Sequence, residues 1–112
     1  MKYKKGDFVI IGFPFSDLSI TKKRPALIIS NDTVNNTGDY LMVQITSKIR
    51  NDSLSLPINK SDFVNGKELP LKSCIRLHKI FMLSESLIIS KNTTVNSGFL
   101  NSVVEKITKL IE

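Results

Sequence analysis

The chain contains one cysteine, one histidine and no tryptophan. A lone Cys74 rules out an internal disulfide and fits a reducing compartment. With His78 as its only imidazole, the chain cannot assemble a Cys/His set with zinc spacing. No metal and no other cofactor is expected. Long apolar runs are missing as well. Phe8, Val9, Ile10 and Ile11 follow Lys2, Lys4 and Lys5, but this run is too short for a secretory leader and Asp7 interrupts its approach. No other stretch approaches membrane-spanning length, so a cytoplasmic location without a membrane partner is expected. No internal repeat, linker or composition break marks a second domain. The 112 residues, 41% of them apolar, suffice for one core and one domain spanning 1–112.

Positive charge is in surplus. Sixteen Lys and Arg face ten Asp and Glu, giving a net charge of +6. The surplus lies toward the start: residues 1–24 carry six cations and two anions, 25–80 seven and five, and 81–112 three of each. An anionic partner fits this distribution, although many small proteins are basic only for solubility.

The apolar pattern is that of short strands. Residues 8–13 form a β-branched and aromatic run, and 14–23 a polar connection. Residues 25–30 form a second strand, entered through Lys22, Lys23, Arg24 and Pro25. Proline has no N–H and drives its predecessor toward extended backbone, so Arg24 is expected at a strand entrance. A turn over 31–39 precedes an alternating strand over 40–46, with Leu41, Val43 and Ile45 on one face and Tyr40, Met42, Gln44 and Thr46 on the other. After a polar loop at 47–53, a strand at 54–58 carries Pro57 and is expected at a sheet edge. Residues 59–70 are irregular. A strand over 71–80 sets Leu71, Ile75 and Leu77 against Lys72, Cys74, Arg76 and His78. Residues 81–83 offer a further strand, 87–89 are too short to assign, and 90–101 read as loop. Ser102 to Glu105 fits a capping box for a terminal helix carrying Val103, Val104, Ile107, Leu110 and Ile111. These elements predict a mainly β fold, a small antiparallel barrel with a C-terminal α-helix.

Arg24, Thr46, Arg76 and His78 are the candidate catalytic groups. Two residues apart on a strand, Arg76 and His78 share a surface roughly 7 Å from one another. The set suits RNA cleavage by a ribose 2′-hydroxyl, which needs a base, an acid and donors to the phosphoryl oxygens. Arginine is a fixed fork of donors, threonine adds a hydroxyl, and imidazole exchanges a proton near neutrality. Plainer roles exist for each. Arg24 as a solvated strand end, Thr46 as a strand former, His78 as a surface group, Arg76 paired with Glu68 or Asp62 and Cys74 as a packed side chain are all compatible with the spacing.

Gly6-Asp7 before an apolar strand, Phe13-Pro14-Phe15 after it, the run from Lys23 through Arg24-Pro25 to Asp32, then Ile45-Thr46-Ser47 and Ser73-Cys74-Ile75-Arg76 resemble the MazF/PemK family of type II toxins. The likeness covers nearly the whole chain. It implies an SH3-like barrel, a homodimer, and a metal-independent endoribonuclease (mRNA interferase) that cuts single-stranded RNA into 2′,3′-cyclic phosphate and 5′-hydroxyl ends. Arg24 and Thr46 match the family's active-site arginine and threonine, and Arg76 an arginine used by some PemK-like members. Where those members have an acidic residue two positions on, this chain has His78. The loops at 14–23 and 47–53 would border the RNA groove, with Lys22, Lys23, Gln44, Ser47, Lys48 and Arg50 as contacts. A cognate antitoxin would cross the same groove. A gyrase-directed toxin resembling CcdB and a non-catalytic nucleic-acid-binding module are the alternatives; the first relies on C-terminal aromatic contacts, and this chain ends Lys109-Leu110-Ile111-Glu112.

Overall fold

A computed structural model of the chain describes residues 2–14, 21–66 and 71–112. Among them, β1 (Asp7–Pro14), β2 (Thr21–Ile28), β3 (Asp39–Thr46), β4 (Ser55–Ile58), β5 (Ser73–Ser84) and β6 (Ile88–Thr94) form one antiparallel sheet. The strand order is β4-β5-β3-β2-β1-β6. A one-turn helix, α1 (Asp32–Asn35), follows β2, and a longer one, α2 (Ser97–Lys109), follows β6. The mainly β class with a C-terminal helix is as expected. The sheet, however, does not close. Its end strands β4 and β6 do not pair: β4 is only four residues long and includes Pro57, which has no N–H to offer a further strand. The chain after β4 partly spans the gap, where Phe63 bridges Val95 and the Val64 N–H donates to the Thr94 carbonyl at 3.0 Å.

Both faces of the sheet's centre are buried. On one, Phe8, Leu27, Val43, Ile45, Ile75 and Leu77 pack under Phe99, Val103 and Ile107 of α2. Phe8 meets Phe63 edge to face, with ring centroids 5.9 Å apart. On the other, Val9, Ile11, Ala26, Ile28, Tyr40 and Met42 cluster with Ile88. At about 1.5–3 kcal/mol for each fully buried large aliphatic side chain, this packing holds the central strands. Gly6 has φ +95°, and a Cβ there would lie 3.3 Å from Leu100, so the close approach of α2 to the start of β1 favours glycine.

Several boundaries differ from the sequence reading. β2 begins at Thr21, before the cations, so Arg24 lies within the strand rather than at its entrance. The strands expected at 71–80 and 81–83 are one long β5 that begins only at Ser73, so Leu71 and Lys72 precede it. The turn at 31–39 contains α1. The polar stretch 90–101 is not loop: β6 runs through its first part, held by pairing with β1. Helix α2 then starts at Ser97, capped by Asn96, whose Oδ1 accepts from the Phe99 N–H at 2.8 Å. Ser102 and Glu105 are thus inside the helix. Among the described residues no helix is long and apolar enough to cross a membrane.

Candidate functional site

Two irregularities in the pairing of β3 shape the site. The first lies between β2 and β3, whose ladder runs from Ile28↔Met42 through Leu27↔Val43 to Ala26↔Gln44. Pro25, with no N–H, stands where it ends. Continued by two residues, the same register faces Arg24 with Thr46, but there the strands have parted and a cavity of about 270 Å³ lies open. Lys23, Arg24, Gln44, Thr46, Ser47, Ser73 and Asn92 are its polar lining among the described residues, and Phe8, Ile10, Pro25, Ile45 and Leu71 its apolar wall. The Arg24 side chain is exposed and makes no hydrogen bond or ion pair with described residues. The Thr46 Oγ1 accepts from the Lys48 N–H at 3.1 Å, which leaves the hydroxyl proton free to donate.

The second irregularity lies between β3 and β5. Their register passes from Val43↔Ile80 directly to Gln44↔Arg76, so Leu77, His78 and Lys79 bulge out of the ladder. A second cavity of about 350 Å³ opens beside the bulge, lined by Gln44, Thr46, Lys48, Arg50, Arg76, His78 and Lys79. Gln44 and Thr46 therefore border both cavities. The strict alternation expected for Arg76 and His78 fails at the bulge, and the two differ in environment: Arg76 is only 8% exposed, whereas His78 faces solvent.

Arg76 is also committed internally. Its Nη1 donates to both carboxylate oxygens of Asp52, at 3.1 and 3.2 Å, and to the Ser55 Oγ. Asp62, one of the partners weighed for it, instead accepts from the Asn59 N–H at 2.7 Å; Glu68, the other, lies outside the described residues. Partial burial pushes the Asp52 carboxyl up, but hydrogen bonds from Arg76, Ser55 and the Leu54 N–H outweigh it and hold the group below its ordinary value. Cys74 is buried, as its packing role requires.

Lys23, Arg24, Lys48, Arg50 and Lys79 leave the rim of the two cavities strongly basic, and among the described residues no carboxylate lines either one. Such a rim attracts a polyanion, and its arginine and threonine donors suit phosphoryl oxygens. Lys22 is exposed on β2 but lines neither cavity. Of the two loops expected to flank the groove, 14–23 has its ends in β1 and β2 and its residues 15–20 outside the described residues, whereas 47–53 contributes Ser47, Lys48 and Arg50. Sequence reasoning did not single out Lys79, although it adjoins His78. Nor did it find Asp52, because nothing local joins it to a strand residue 24 positions away.

Residues 4–111 match the model of the family described as PemK-like, MazF-like toxin of type II toxin-antitoxin system. No curated protein matches the chain. Among solved structures, the MazE–MazF complex of Deinococcus radiodurans superposes with a TM-score of 0.81 at 17% identity, covering 99% of this chain and 96% of that one. MazF from the same organism gives 0.76 at 19% identity, over 97% and 96% of the two chains. An endoribonuclease in complex with its cognate antitoxin, from a mycobacterial species, gives 0.73 at 18% identity, over 96% and 92%. At these identities the likeness establishes the shared fold.

Proposed function

The chain belongs to the PemK-like, MazF-like toxin family of type II toxin-antitoxin systems, and from that premise we propose that it is an endoribonuclease that cleaves single-stranded RNA. The observation that carries this reading is the pair of basic cavities meeting at Gln44 and Thr46, with Arg24 on one side and His78 on the other. An in-line displacement at phosphorus needs a proton acceptor on the side of attack and a donor on the side of departure. A phosphodiester lying across Thr46 has both. The His78 imidazole takes the proton of the 2′-hydroxyl as O2′ bonds to phosphorus, and the bond to the 5′-oxygen breaks as Arg24 protonates it. The neutral guanidine then takes a proton back from water, and the hydroxide so formed takes the one that His78 holds, which restores both groups. The products are a 2′,3′-cyclic phosphate and a 5′-hydroxyl. Arg24, Arg76 and the Thr46 hydroxyl donate to the phosphoryl oxygens as charge builds there. Lys23, Lys48, Arg50 and Lys79 hold the flanking phosphates, with Lys22, Gln44 and Ser47 as further contacts. The reaction draws on side chains alone and is read as metal-independent.

The same basic groove suits an antitoxin with an acidic segment, which would exclude RNA by occupying it. Homodimerisation and a cytoplasmic location belong to this reading through family membership. Mixed-sequence RNA incubated with the protein in excess EDTA, with fragment ends mapped, tests the reading. Specific cuts with cyclic-phosphate ends are expected. RNA bound but left intact would instead favour a non-catalytic binding module, and inhibition of DNA supercoiling without RNA breakage a gyrase-directed toxin.

A further inference from the structure

Asp52 is out of place beside a polyanion site, where a negative charge opposes binding. Its geometry gives it another use. Ser55 stands opposite Arg76 in the β4–β5 register, and Asp52 sits three residues earlier, at the end of the loop that carries Lys48 and Arg50. The Leu54 N–H donates to Asp52 Oδ1 at 3.1 Å and fixes the carboxylate from its own side. The Arg76 Nη1 is then shared among both Asp52 oxygens and Ser55. A guanidinium has five N–H bonds, and those of Nη2 and Nε, which meet no acceptor among the described residues, can serve a ligand. With one corner of its planar fork held, the rest of the group loses rotational freedom in the cavity it shares with His78.

We propose that Asp52, assisted by Ser55, is a positioning residue for RNA cleavage: it orients the Arg76 guanidinium toward the reacting phosphate and ties the cationic 47–54 loop to β5. The inference rests on the nuclease reading above. Because Asp52 acts through Arg76 and repels RNA, its loss slows the chemical step without weakening binding.

The test is steady-state cleavage of an oligonucleotide with one cut site by the wild type, Asp52→Ala, Asp52→Asn, Arg76→Ala and the Asp52→Ala/Arg76→Ala double variant, each checked for folding by circular dichroism. Asp52→Ala is expected to lower kcat by about 10- to 100-fold, the range that a misplaced group costs, with KM unchanged or reduced. Asp52→Asn keeps one acceptor for Nη1 and falls between; it replaces Asp52→Ala if that variant does not fold. In the Arg76→Ala background the Asp52 substitution changes kcat by less than about two-fold, because the group it orients is gone. An unchanged kcat in the single variants overturns the proposal, as does a second full loss in the double variant. Wild-type protein that cleaves no RNA overturns the nuclease reading and this inference with it.

Discussion

Arg24 and Arg76 are both arginines on strands beside Thr46, and their surroundings predict opposite consequences of removing them. The Arg24 side chain is exposed and forms no hydrogen bond or ion pair with described residues, so Arg24→Ala removes no side-chain interaction among them. Its folding free energy should stay within about 0.5 kcal/mol of the wild type, the usual range for such surface substitutions. Catalysis should respond far more. Losing one preorganised donor to a developing phosphoryl charge costs about 10²- to 10³-fold in kcat, or roughly 2.7–4 kcal/mol of transition-state stabilisation. Arg76→Ala removes a buried side chain and leaves Asp52 and Ser55 without their shared donor, so it should lower both the urea midpoint and kcat. Urea melts paired with single-turnover cleavage of an oligonucleotide separate the two patterns. Arg24→Lys sharpens the test, since it keeps the charge and loses the planar fork; RNA affinity should survive while kcat falls. A destabilised Arg24→Ala, or one that cleaves at the wild-type rate, would refute the assignment of Arg24 as a free donor in the site.

If Lys23, Arg24, Lys48, Arg50 and Lys79 each neutralise one phosphate, the log–log salt slope for single-stranded RNA binding is about −3.5, at roughly 0.7 per contact. Affinity then falls on the order of 100-fold between 50 and 200 mM salt, and a slope shallower than about −1.5 in filter binding would remove most of these contacts. The Glu85 carboxyl is held below its ordinary value by hydrogen bonds from the Tyr40 hydroxyl and the Lys2 N–H, so its contribution is present at neutral pH and lost as pH falls through the folded-state value. Burial, then the bond to Glu85, raises the Tyr40 phenol, whose contribution is present below its ordinary value and lost as alkaline pH passes the folded one. Stability–pH curves should therefore flatten on the acid limb in Glu85→Gln and on the alkaline limb in Tyr40→Phe; parallel curves would contradict this. Buried Asn35 accepts from the Ser30 hydroxyl and donates to the Ser30 carbonyl at 3.0 Å. Asn35→Ala should cost about 1–3 kcal/mol in urea denaturation, from two hydrogen bonds lost in a dry site, and a cost below about 0.5 kcal/mol would mean that water replaces them.

The sequence was most legible where one residue type leaves few options. Pro57 pointed to a sheet edge, and β4 is at the edge. Alternation in 40–46 marked β3, because the strand is buried on both faces and its two sets of side chains enter different cores: Val43 and Ile45 one, Tyr40 and Met42 the other. Residues 90–94 carried no such pattern. β6 is half exposed, and its pairing with β1 supplies what its composition does not. The start of α2 did have a local signal in Asn96 followed by Phe99, with Phe99, Val103 and Ile107 four residues apart. Gly98 and the polar residues around it obscured that signal, and the later Ser102–Glu105 pair imitated a cap.

Period-two reasoning placed Arg76 and His78 on one regular surface, yet the cavity that both line is present because the period breaks there. Gln44 makes the last pair of the β2–β3 ladder and the first pair beyond the β3–β5 register shift. A regular sheet would cover Gln44 and Thr46 with ladder neighbours on both sides and leave no room for a phosphate. Instead Pro25 ends one ladder, the Leu77-His78-Lys79 bulge displaces the other, and the groups released line a basic groove. Of these two devices only the proline is visible in the sequence. The bulge depends on how β5 meets β3 over its full length, and the orientation of Arg76 depends on Asp52 across a loop. The residue types of the site could thus be read from the chain, whereas the division between an arginine with no side-chain partner among the described residues and a clamped one required the fold. That division makes the Arg24 and Arg76 variants separable by experiment.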